Sequence, residues 1–313
     1  METISIIIPA YNEELTIGKV IKDFKKQLPD ANIYVYDNNS TDNTAKIAEE
    51  AGAIVRKEYK QGKGNVIRSS FKEIDSDIYV MVDADDTYPA EVINELIEPV
   101  KNGQADMVTG DRLSNGTYKK QMKKISHKFG NNLVKNCINL LFDIRLNDIM
   151  TGYRVFNKKI VKNMPIMSQE FELETEMTLF AVDKKYIIKE IPIEYRERPN
   201  GSKSKIKTLK DGRKVIKTLI KMFRNHKPLK FFTILFTILF IIGLLVGIPV
   251  IVEFYKTGYI TKIPSAILAT GLITLAVICE QSGLILQTIV EQHKEEYELN
   301  LLRYEQIEKL KNK

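Results

Sequence analysis

Short apolar runs alternate with helical patterns through residues 1–200. The first run, Ile4 to Ile8, ends at Pro9, and Glu13 to Gln27 then has the spacing of a helix. Further strands are expected at Ile33–Asp37, Ala53–Arg56, Ile78–Val82 and Asp106–Val108. Helices are expected at Ala45–Ala51, after Gly62-Lys63-Gly64 to about Glu73, and from Pro89 to about Lys101. This alternation predicts an α/β fold whose mostly parallel sheet is flanked by helices.

Two apolar segments in the last third are long enough to cross a bilayer. Phe231 to Val252 holds 22 residues without a charge, and Ile263 to Val290 holds 28 residues with one charge, Glu280. A pair of buried core helices is the alternative, and the length of both runs disfavours it. We therefore predict a two-helix transmembrane hairpin, with spans at 229–255 and 262–290. The role of Glu280 stays open.

The positive charge of the chain is concentrated beside the first apolar segment. Net charge is +7, and eleven Lys or Arg residues lie between Lys203 and Lys230 against one acid, Asp211. Next to a predicted span, such a block favours an anionic membrane surface over nucleic acid. The positive-inside rule then places residues 1–203 on the cytoplasmic side, in a multi-pass protein of the cell membrane.

Two further segments flank the hairpin. Residues 204–228 have the spacing of a basic amphipathic helix in the membrane interface, or of a helix packed on the first domain. Residues 291–313 are predicted to form a charged cytoplasmic helix that is either solvated or self-associating. In the second case the protein would be a homo-oligomer. The two cysteines and three histidines are scattered, so neither a disulfide framework nor a zinc site is expected.

Polar clusters follow three of the predicted strands directly. These are Tyr11-Asn12-Glu13, Asp37-Asn38-Asn39 and Asp83-Ala84-Asp85-Asp86. Ligands of parallel sheets bind at the carboxyl ends of the strands, where these clusters would meet. Two carboxylates at a strand end can hold a divalent cation, which neutralises a diphosphate leaving group. The pattern therefore predicts a divalent-cation site at this edge, of the kind that faces a diphosphate.

Four ordered motifs carry a resemblance to a known family. They are Ile8 to Glu14, Asp37 to Thr44, Gly62 to Asn65, and Asp83 to Asp85. In this order they resemble the signature of the family 2 inverting glycosyltransferases, which implies the Rossmann-like GT-A fold. The resemblance covers about residues 3–225.

Two later segments narrow the resemblance. Asp148 to Phe156 and Arg198 to Lys205 look like the dolichol-phosphate mannose synthase branch and its bacterial polyprenyl-phosphate relatives. This implies a nucleotide-sugar donor, a polyprenyl-phosphate acceptor, and Mg²⁺ or Mn²⁺ as cofactor. It also implies a metal site at Asp85, with help from Asp83. Relatives often carry other residues at Thr87 and Tyr88, and Asp86 is an extra acid, so the third metal ligand stays open.

The resemblance implies roles for residues of the donor site. Those expected to bind the nucleotide-sugar are Pro9, Tyr11, Glu13, Asp37, Lys63 and Asp83. Asp37 would hydrogen-bond the base. The residues expected to carry catalysis are Asp85, Asp148, Arg112 and Arg198.

Holding two anionic substrates together requires cations around the acceptor phosphate. The candidates for this acceptor site are Arg112, Lys124, Arg154, Arg198 and Lys205, with Ser204 as a neutral donor. A solvated surface charge is the alternative for each cation.

Two groups of acids are ambiguous. Asp148 is expected either to act as a base or acceptor organiser, or to pair with Arg154 in a structural role. In a helix over Phe171 to Val182, Glu172 and Glu176 would share a face and could line the cleft. For Glu174 a solvated position is favoured.

The expected reaction is inverting transfer from UDP-glucose or UDP-N-acetylglucosamine to polyprenyl phosphate. GDP-mannose is the alternative donor, and a glycan or glycolipid is the alternative acceptor. Chain-extending members of the family usually carry a Gln-x-x-Arg-Trp motif, and this chain has no Trp. A non-enzymatic scaffold is disfavoured because Asp37, Asp83, Asp85 and Arg198 are all present.

Overall fold

The computed structural model describes residues 2–115, 135–136, 138–139, 142, 144–169, 172–199 and 220–311. These residues belong to two compact units, Met1–Val215 and Ile216–Lys313. The strands are β1 (Ile4–Ala10), β2 (Asn32–Asp37), β3 (Ile54–Lys57), β4 (Ile78–Met81), β5 (Met107–Asp111), β6 (Arg154–Asn157) and β7 (Ile188–Pro192). The helices are α1 (Ile17–Gln27), α2 (Thr44–Glu50), α3 (Lys63–Glu73), α4 (Ile93–Lys101), α5 (Lys158–Asn163), α6 (Leu173–Asp183), α7 (Pro228–Thr257) and α8 (Ile263–Lys311).

The seven strands form one sheet in the order β3-β2-β1-β4-β6-β5-β7. Strand β6 runs antiparallel to both of its neighbours, β4 and β5, whereas the other neighbouring pairs are parallel. The predicted α/β fold with a mostly parallel sheet flanked by helices is confirmed. The reversal at β6 brings its first residue to the edge where the parallel strands end.

Alternating side chains of the central strand supply both faces of the sheet. Ile6 and Ile8 of β1 belong to a core packed by α1 and α4, whereas Ile7 belongs to the opposite core, packed by α3, α5 and α6. Because both faces are covered, a central strand is apolar throughout rather than at every second position. This explains why Ile6, Ile7 and Ile8 follow one another without a polar residue between them.

Helix α1 begins later than the sequence pattern predicts. Residues 13–16 form a turn closed by the Thr16 amide, which donates to the Glu13 carbonyl (3.1 Å). The Glu13 amide itself donates to Thr44 Oγ1 (2.8 Å), and the preceding Asn12 has a φ of 52°. These contacts hold the turn at the sheet edge, and the helix starts only at Ile17.

The apolar helices α7 and α8 pack against each other as an antiparallel hairpin. Gly243 faces Ile273, and Gly283 faces Phe232, so closely that an added Cβ would lie 2.8 Å from either side chain. Both helices are long and apolar enough to cross a membrane. Helix α8 continues without a break through residues 291–311, where a separate tail is expected from the sequence.

The half-buried acid of the hairpin, Glu280, has a partner across the helix pair. Glu280 Oε1 accepts a hydrogen bond from Thr233 Oγ1 (3.1 Å). The hydroxyl and the carboxyl come from different helices, so this bond ties α7 to α8 in addition to their apolar packing.

Arg154 lies in the interior of the first unit and not at an acceptor site. It is 0% exposed, and its guanidinium donates to the carbonyls of Thr151 (3.0 Å) and Ile149 (2.6 Å) and to Thr178 Oγ1 (2.9 Å). Burial lowers the Arg154 pKa to about 10. The expected role in phosphate binding is therefore wrong: the donors of Arg154 hold the turn before β6 against α6.

Replacing Arg154 should destabilise the protein far more than replacing a surface arginine. Arg154→Met leaves buried carbonyls without donors, at a cost on the order of 3 kcal/mol. Arg56→Met breaks a half-exposed pair with Glu73 and should cost under about 1 kcal/mol. Thermal unfolding of the full chain in detergent measures the difference. Equal midpoints for the two variants would contradict the structural role of Arg154.

Candidate active site

The functional side chains gather where the parallel strands end. Strands β1, β2 and β4 end at Ala10, Asp37 and Met81. Because β6 runs the other way, the turn before it, residues 151–153, lies at the same edge. The sheet therefore brings together residues that are more than 100 positions apart in the chain.

The first part of the edge is the cluster of polar side chains around Asp37. Asp37 is buried, and its Oδ1 accepts from the Ser40 amide (3.1 Å). Asn12 joins the two loops, since its amide donates to Ser40 Oγ (3.0 Å) and its Oδ1 accepts from the Thr41 amide (2.7 Å). The predicted nucleotide-binding residues Pro9, Tyr11 and Glu13 lie on the adjoining β1 and its following turn, with Pro9 paired in register with Tyr36.

Asn38 connects this cluster to the chain segment that leads into α3. Its Nδ2 donates to the carbonyls of Glu58 (2.9 Å) and Lys60 (2.8 Å), and its Oδ1 accepts from the Gly62 amide (2.7 Å). Asn38 is buried, so these bonds are shielded from water. The sequence gives Asn38 only as part of a polar cluster. Its task is to fix the position of the Gly62-Lys63-Gly64 turn.

The two glycines of this turn permit a close backbone approach. The Gly64 amide donates to the Gln169 carbonyl (3.1 Å). A Cβ on Gly64 would lie 1.9 Å from the Ser168 carbonyl oxygen, and one on Gly62 would lie 2.2 Å from that of Gln169. Gly62 also has a φ of 126°, which side chains rarely adopt. Only glycine fits at both positions.

Lys63, between the glycines, bridges two carboxylates. Its Nζ donates to Asp83 Oδ1 (2.5 Å) and to Glu174 Oε1 (2.7 Å). Burial alone would lower the Lys63 pKa, but the charges of Asp83 and Glu174 outweigh it and raise that pKa above its usual value. The ammonium is therefore charged at any physiological pH.

Glu174 lies in the site, although the sequence pattern predicts that it is solvated. It is 7% exposed, at the first turn of α6, where a solvated position is expected. Glu176, which is expected to share the cleft-facing side, instead accepts from the amides of Met167 (3.0 Å) and Ser168 (2.9 Å). The acid that reaches Lys63, beside Asp83, is thus Glu174, and Glu176 fixes the chain segment before α6.

The turn before β6 packs directly on Asp83. A Cβ on Gly152 would lie 2.6 Å from Asp83 Oδ2. The Gly152 amide donates to the hydroxyl of Tyr88 (2.8 Å), whose ring is buried. Burial raises the Tyr88 pKa, so the hydroxyl stays protonated. Asp83 therefore sits between Lys63 on one side and a backbone turn on the other.

Asp85 is more deeply buried than Asp83, at 4% exposure. Its Oδ1 accepts from the amide (3.2 Å) and hydroxyl (2.6 Å) of Thr87, and its Oδ2 forms an ion pair with Arg198. Burial, followed by the nearby charge of Asp83, raises the Asp85 pKa, which the Arg198 charge opposes. Asp86 has a φ of 57° and pairs with Lys19 Nζ (2.8 Å).

The acid pair fits a divalent cation. Asp83 and Asp85 offer carboxylate oxygens, the ligand type that Mg²⁺ and Mn²⁺ prefer. Each forms an ion pair with a basic side chain, and Lys63, the partner of Asp83, is shared with Glu174. In the described part of the chain, no third Asp, Glu, His or Cys joins them in a metal-binding group. Mg²⁺ commonly uses one or two carboxylates and takes its other ligands from substrate phosphates and water.

Arg112 and Asp148 form a second buried charge pair at this edge. Arg112 Nε donates to Asp148 Oδ2 (2.7 Å) and Nη2 to Oδ1 (2.9 Å), while Nη1 donates to the Tyr88 hydroxyl (3.3 Å). The guanidinium also lies over the Tyr195 ring, 5.5 Å from its centroid. Asp148 therefore pairs with Arg112. Its expected partner in a structural role was Arg154.

Three of the predicted acceptor-site residues, Lys124, Ser204 and Lys205, lie outside the described residues. So does most of the predicted interfacial helix at 204–228.

Comparison with known proteins identifies the family of the chain. Residues 5–164, just over half of the chain, match the family described as "Glycosyl transferase family 2". The chain belongs to this family.

Named relatives include transferases of lipid phosphates. The chain is 54% identical to Protein RfbJ of Shigella flexneri over 120 residues, which are 37% of this chain and 93% of the relative. It is 28% identical to a dolichyl-phosphate hexose transferase of Haloferax volcanii, over 50% of this chain and 68% of the relative. It is 30% identical to a UDP-N-acetylglucosamine–dolichyl-phosphate N-acetylglucosaminyltransferase of Methanococcus voltae, over 50% of this chain and 69% of the relative. These names support the polyprenyl-phosphate branch of the family.

A solved structure shares the fold. The glucosyl-3-phosphoglycerate synthase of Mycobacterium tuberculosis, crystallised with Mn²⁺, UDP-glucose and glycerol 3-phosphate, matches with a TM-score of 0.56 and 21% identity. The match covers 70% of this chain and 79% of that one. The predicted GT-A fold is thereby confirmed.

Gly64→Ala should destabilise this family 2 member because the new Cβ would overlap the Ser168 carbonyl. The segment before α6 must then move, at a cost on the order of 3 kcal/mol. Gly103→Ala is the control. Its φ of 67° strains any residue with a side chain, but nothing lies within 4 Å of the added Cβ. It should cost about 1 kcal/mol. Thermal unfolding of both variants measures the difference, and a Gly64→Ala midpoint at or above that of Gly103→Ala would contradict the close approach.

Proposed function

We propose that the protein transfers a sugar from a nucleotide-sugar to polyprenyl phosphate, with inversion at the anomeric carbon. The observation that carries this proposal is that Asp83 and the buried Asp85 each form an ion pair with a basic side chain, at the same sheet edge as Asp37. UDP-glucose or UDP-N-acetylglucosamine is the proposed donor. The product is a polyprenyl monophosphosugar on the cytoplasmic leaflet.

The donor would lie along the strand ends. Asp37 would accept a hydrogen bond from the base, with Pro9, Tyr11 and Glu13 forming the wall around base and ribose. The Lys63 ammonium would face the diphosphate, because it is fixed next to Asp83. Asp85 and Asp83 would hold Mg²⁺ or Mn²⁺, which supplies positive charge for the departing diphosphate.

The chemical step exchanges one carbon–oxygen bond for another. An oxygen of the acceptor phosphate forms a bond to the anomeric carbon, and the bond from that carbon to the diphosphate breaks. The electron pair leaves with the nucleoside diphosphate. Because the acceptor phosphate is already anionic near neutral pH, the protein has little need to remove a proton. Its main task is to hold two anions together.

Cations of the chain would hold the acceptor phosphate. Arg198 is the proposed first contact, since its ion pair with Asp85 puts it beside the reacting groups. Arg112 is proposed to assist, oriented by Asp148 through a two-point ion pair. Lys124, Ser204 and Lys205 stay predicted members of the same site.

Three observations support a lipid acceptor. Relatives are named as transferases of dolichyl phosphate. The chain has two helices that are candidates for membrane spans. The eleven basic residues before the first span favour the cytoplasmic side for the catalytic unit.

Transfer can be tested with the purified full chain. The protein in detergent is incubated with polyprenyl phosphate, Mg²⁺ and radiolabelled UDP-glucose, UDP-N-acetylglucosamine or GDP-mannose, and labelled lipid is extracted. We expect label from one of the UDP-sugars. Label from GDP-mannose alone would overturn the proposed donor, and the absence of labelled lipid with every donor would overturn the proposed acceptor.

Asp85→Asn should reduce transfer by about a thousandfold or more, because the substitution removes a charge that holds the cation of the leaving group. Asp86→Asn is the matched control. It alters the adjacent acid, which pairs with Lys19, and asparagine tolerates the positive φ at this position. Activity of Asp86→Asn should stay within about threefold of the unchanged protein. Similar losses in both variants would contradict the assignment of Asp85.

A further inference from the structure

Glu174 is a buried carboxylate at the active site to which the proposed reaction gives no role. It lies 111 residues from Lys63 in sequence, and the sheet and α6 bring the two side chains to 2.7 Å. We propose that Glu174 is a positioning residue, which anchors the Lys63 ammonium beside the donor diphosphate while Asp83 engages the donor and its cation. This inference rests on the proposed function.

The geometry of Lys63 supports an anchoring role. An ammonium has three N–H donors, and here one is directed to Asp83 and another to Glu174. The remaining donor can serve a phosphate oxygen. When Asp83 shares its charge with a cation, its attraction for Lys63 weakens, and Glu174 then holds the lysine in place. Without Glu174, Lys63 would pair with Asp83 alone and compete with that cation.

Both ends of the Lys63–Glu174 pair are attached to fixed backbone. Lys63 lies between two glycines docked on the carbonyls of Ser168 and Gln169. Glu174 follows that same segment, at the first turn of α6. The backbone carbonyl of Glu174 accepts from Thr178 Oγ1 (2.9 Å). The lysine and its anchor therefore belong to one docked unit, so the distance between them is set by packing as well as by charge.

The competing explanation is that Glu174 only balances a buried positive charge. In that case its loss would reduce stability but leave the affinity for nucleotide and metal intact. Glu174→Gln separates the two explanations, because glutamine keeps the shape and one acceptor oxygen but not the charge. Glu73→Gln is the control, since Glu73 pairs with Arg56 at the other end of α3.

The experiment measures binding as well as activity. Titration calorimetry with UDP, and with GDP in parallel, is done with and without Mn²⁺ on the full chain in detergent. Glu174→Gln should weaken nucleotide binding in the presence of Mn²⁺ by about tenfold. The donor KM should rise by a similar factor, while kcat at saturating donor and metal stays within about threefold. Glu73→Gln should match the unchanged protein.

A double-mutant cycle tests whether Glu174 acts through Lys63. In a Lys63→Met background, Glu174→Gln should cause no further loss of nucleotide affinity. An equal additional loss in that background would overturn the proposal. Should Glu174→Gln fold poorly, Glu174→Asp keeps the charge one methylene shorter and should give intermediate affinity. Unchanged affinity in the substituted proteins that fold would also overturn it.

Failure of the proposed function would give a different result. If the protein transfers no sugar but binds a nucleotide, the binding cycle still decides the role of Glu174. If it binds neither UDP nor GDP, both the proposed function and the anchoring role are wrong.

Discussion

The ion pair between Lys63 and Asp83 depends on two backbone segments that meet without a side chain between them. Gly62 and Gly64 lie against the carbonyls of residues 168–169, at distances that admit no Cβ. A lysine on a freer loop would lose side-chain entropy on pairing and would gain little from it. Here the close contacts of Gly62 and Gly64 already fix the backbone of Lys63, so less entropy is lost when its side chain forms the ion pair. The same lysine is thereby held next to both Asp83 and Glu174.

The same constraint explains why the strand ends are connected by polar side chains rather than by apolar packing. Asn38 joins β2 to the turn before α3, and the Tyr88 hydroxyl joins the loop after β4 to the turn before β6. Each bond fixes a backbone amide, so the positions of Lys63 and Asp83 are set by the chain and not by side-chain rotation. Preorganised charges of this kind are those that stabilise developing charge most effectively.

Local sequence patterns predicted much of the fold and the positions of Asp83 and Asp85, because both depend on residues that are adjacent in the chain. Asp83 and Asp85 follow an apolar strand directly, and strand ends collect ligands in any parallel sheet. The partners of these acids were harder to predict. Lys63 and Arg198 are expected in the site, but their pairing with these acids joins distant parts of the chain, and so does the pairing of Glu174 with Lys63. The reversal of β6 has no local signal. Helix α6 is buried on most sides, so its spacing could not show whether Glu172, Glu174 or Glu176 faces the cleft. Arg154 and Arg112 cannot be told apart from the sequence. Only the packing shows that Arg154 is a structural residue of the interior and that Arg112 pairs with Asp148.

Charge balance links the structure to the proposed reaction. Lys63 and Arg198 offset two of the three negative charges of Asp83, Asp85 and Glu174, so this part of the site carries one net negative charge. A divalent cation with a nucleoside diphosphate adds two positive charges and two or more negative ones, so its arrival changes the net charge little. The basic side chains can then turn from carboxylates to phosphates without being left unpaired in a low dielectric. A site with acids alone would bind the cation but repel the diphosphate, and a site with bases alone would do the opposite. The paired arrangement suits a reaction in which a cation and two anionic substrates must occupy one cleft.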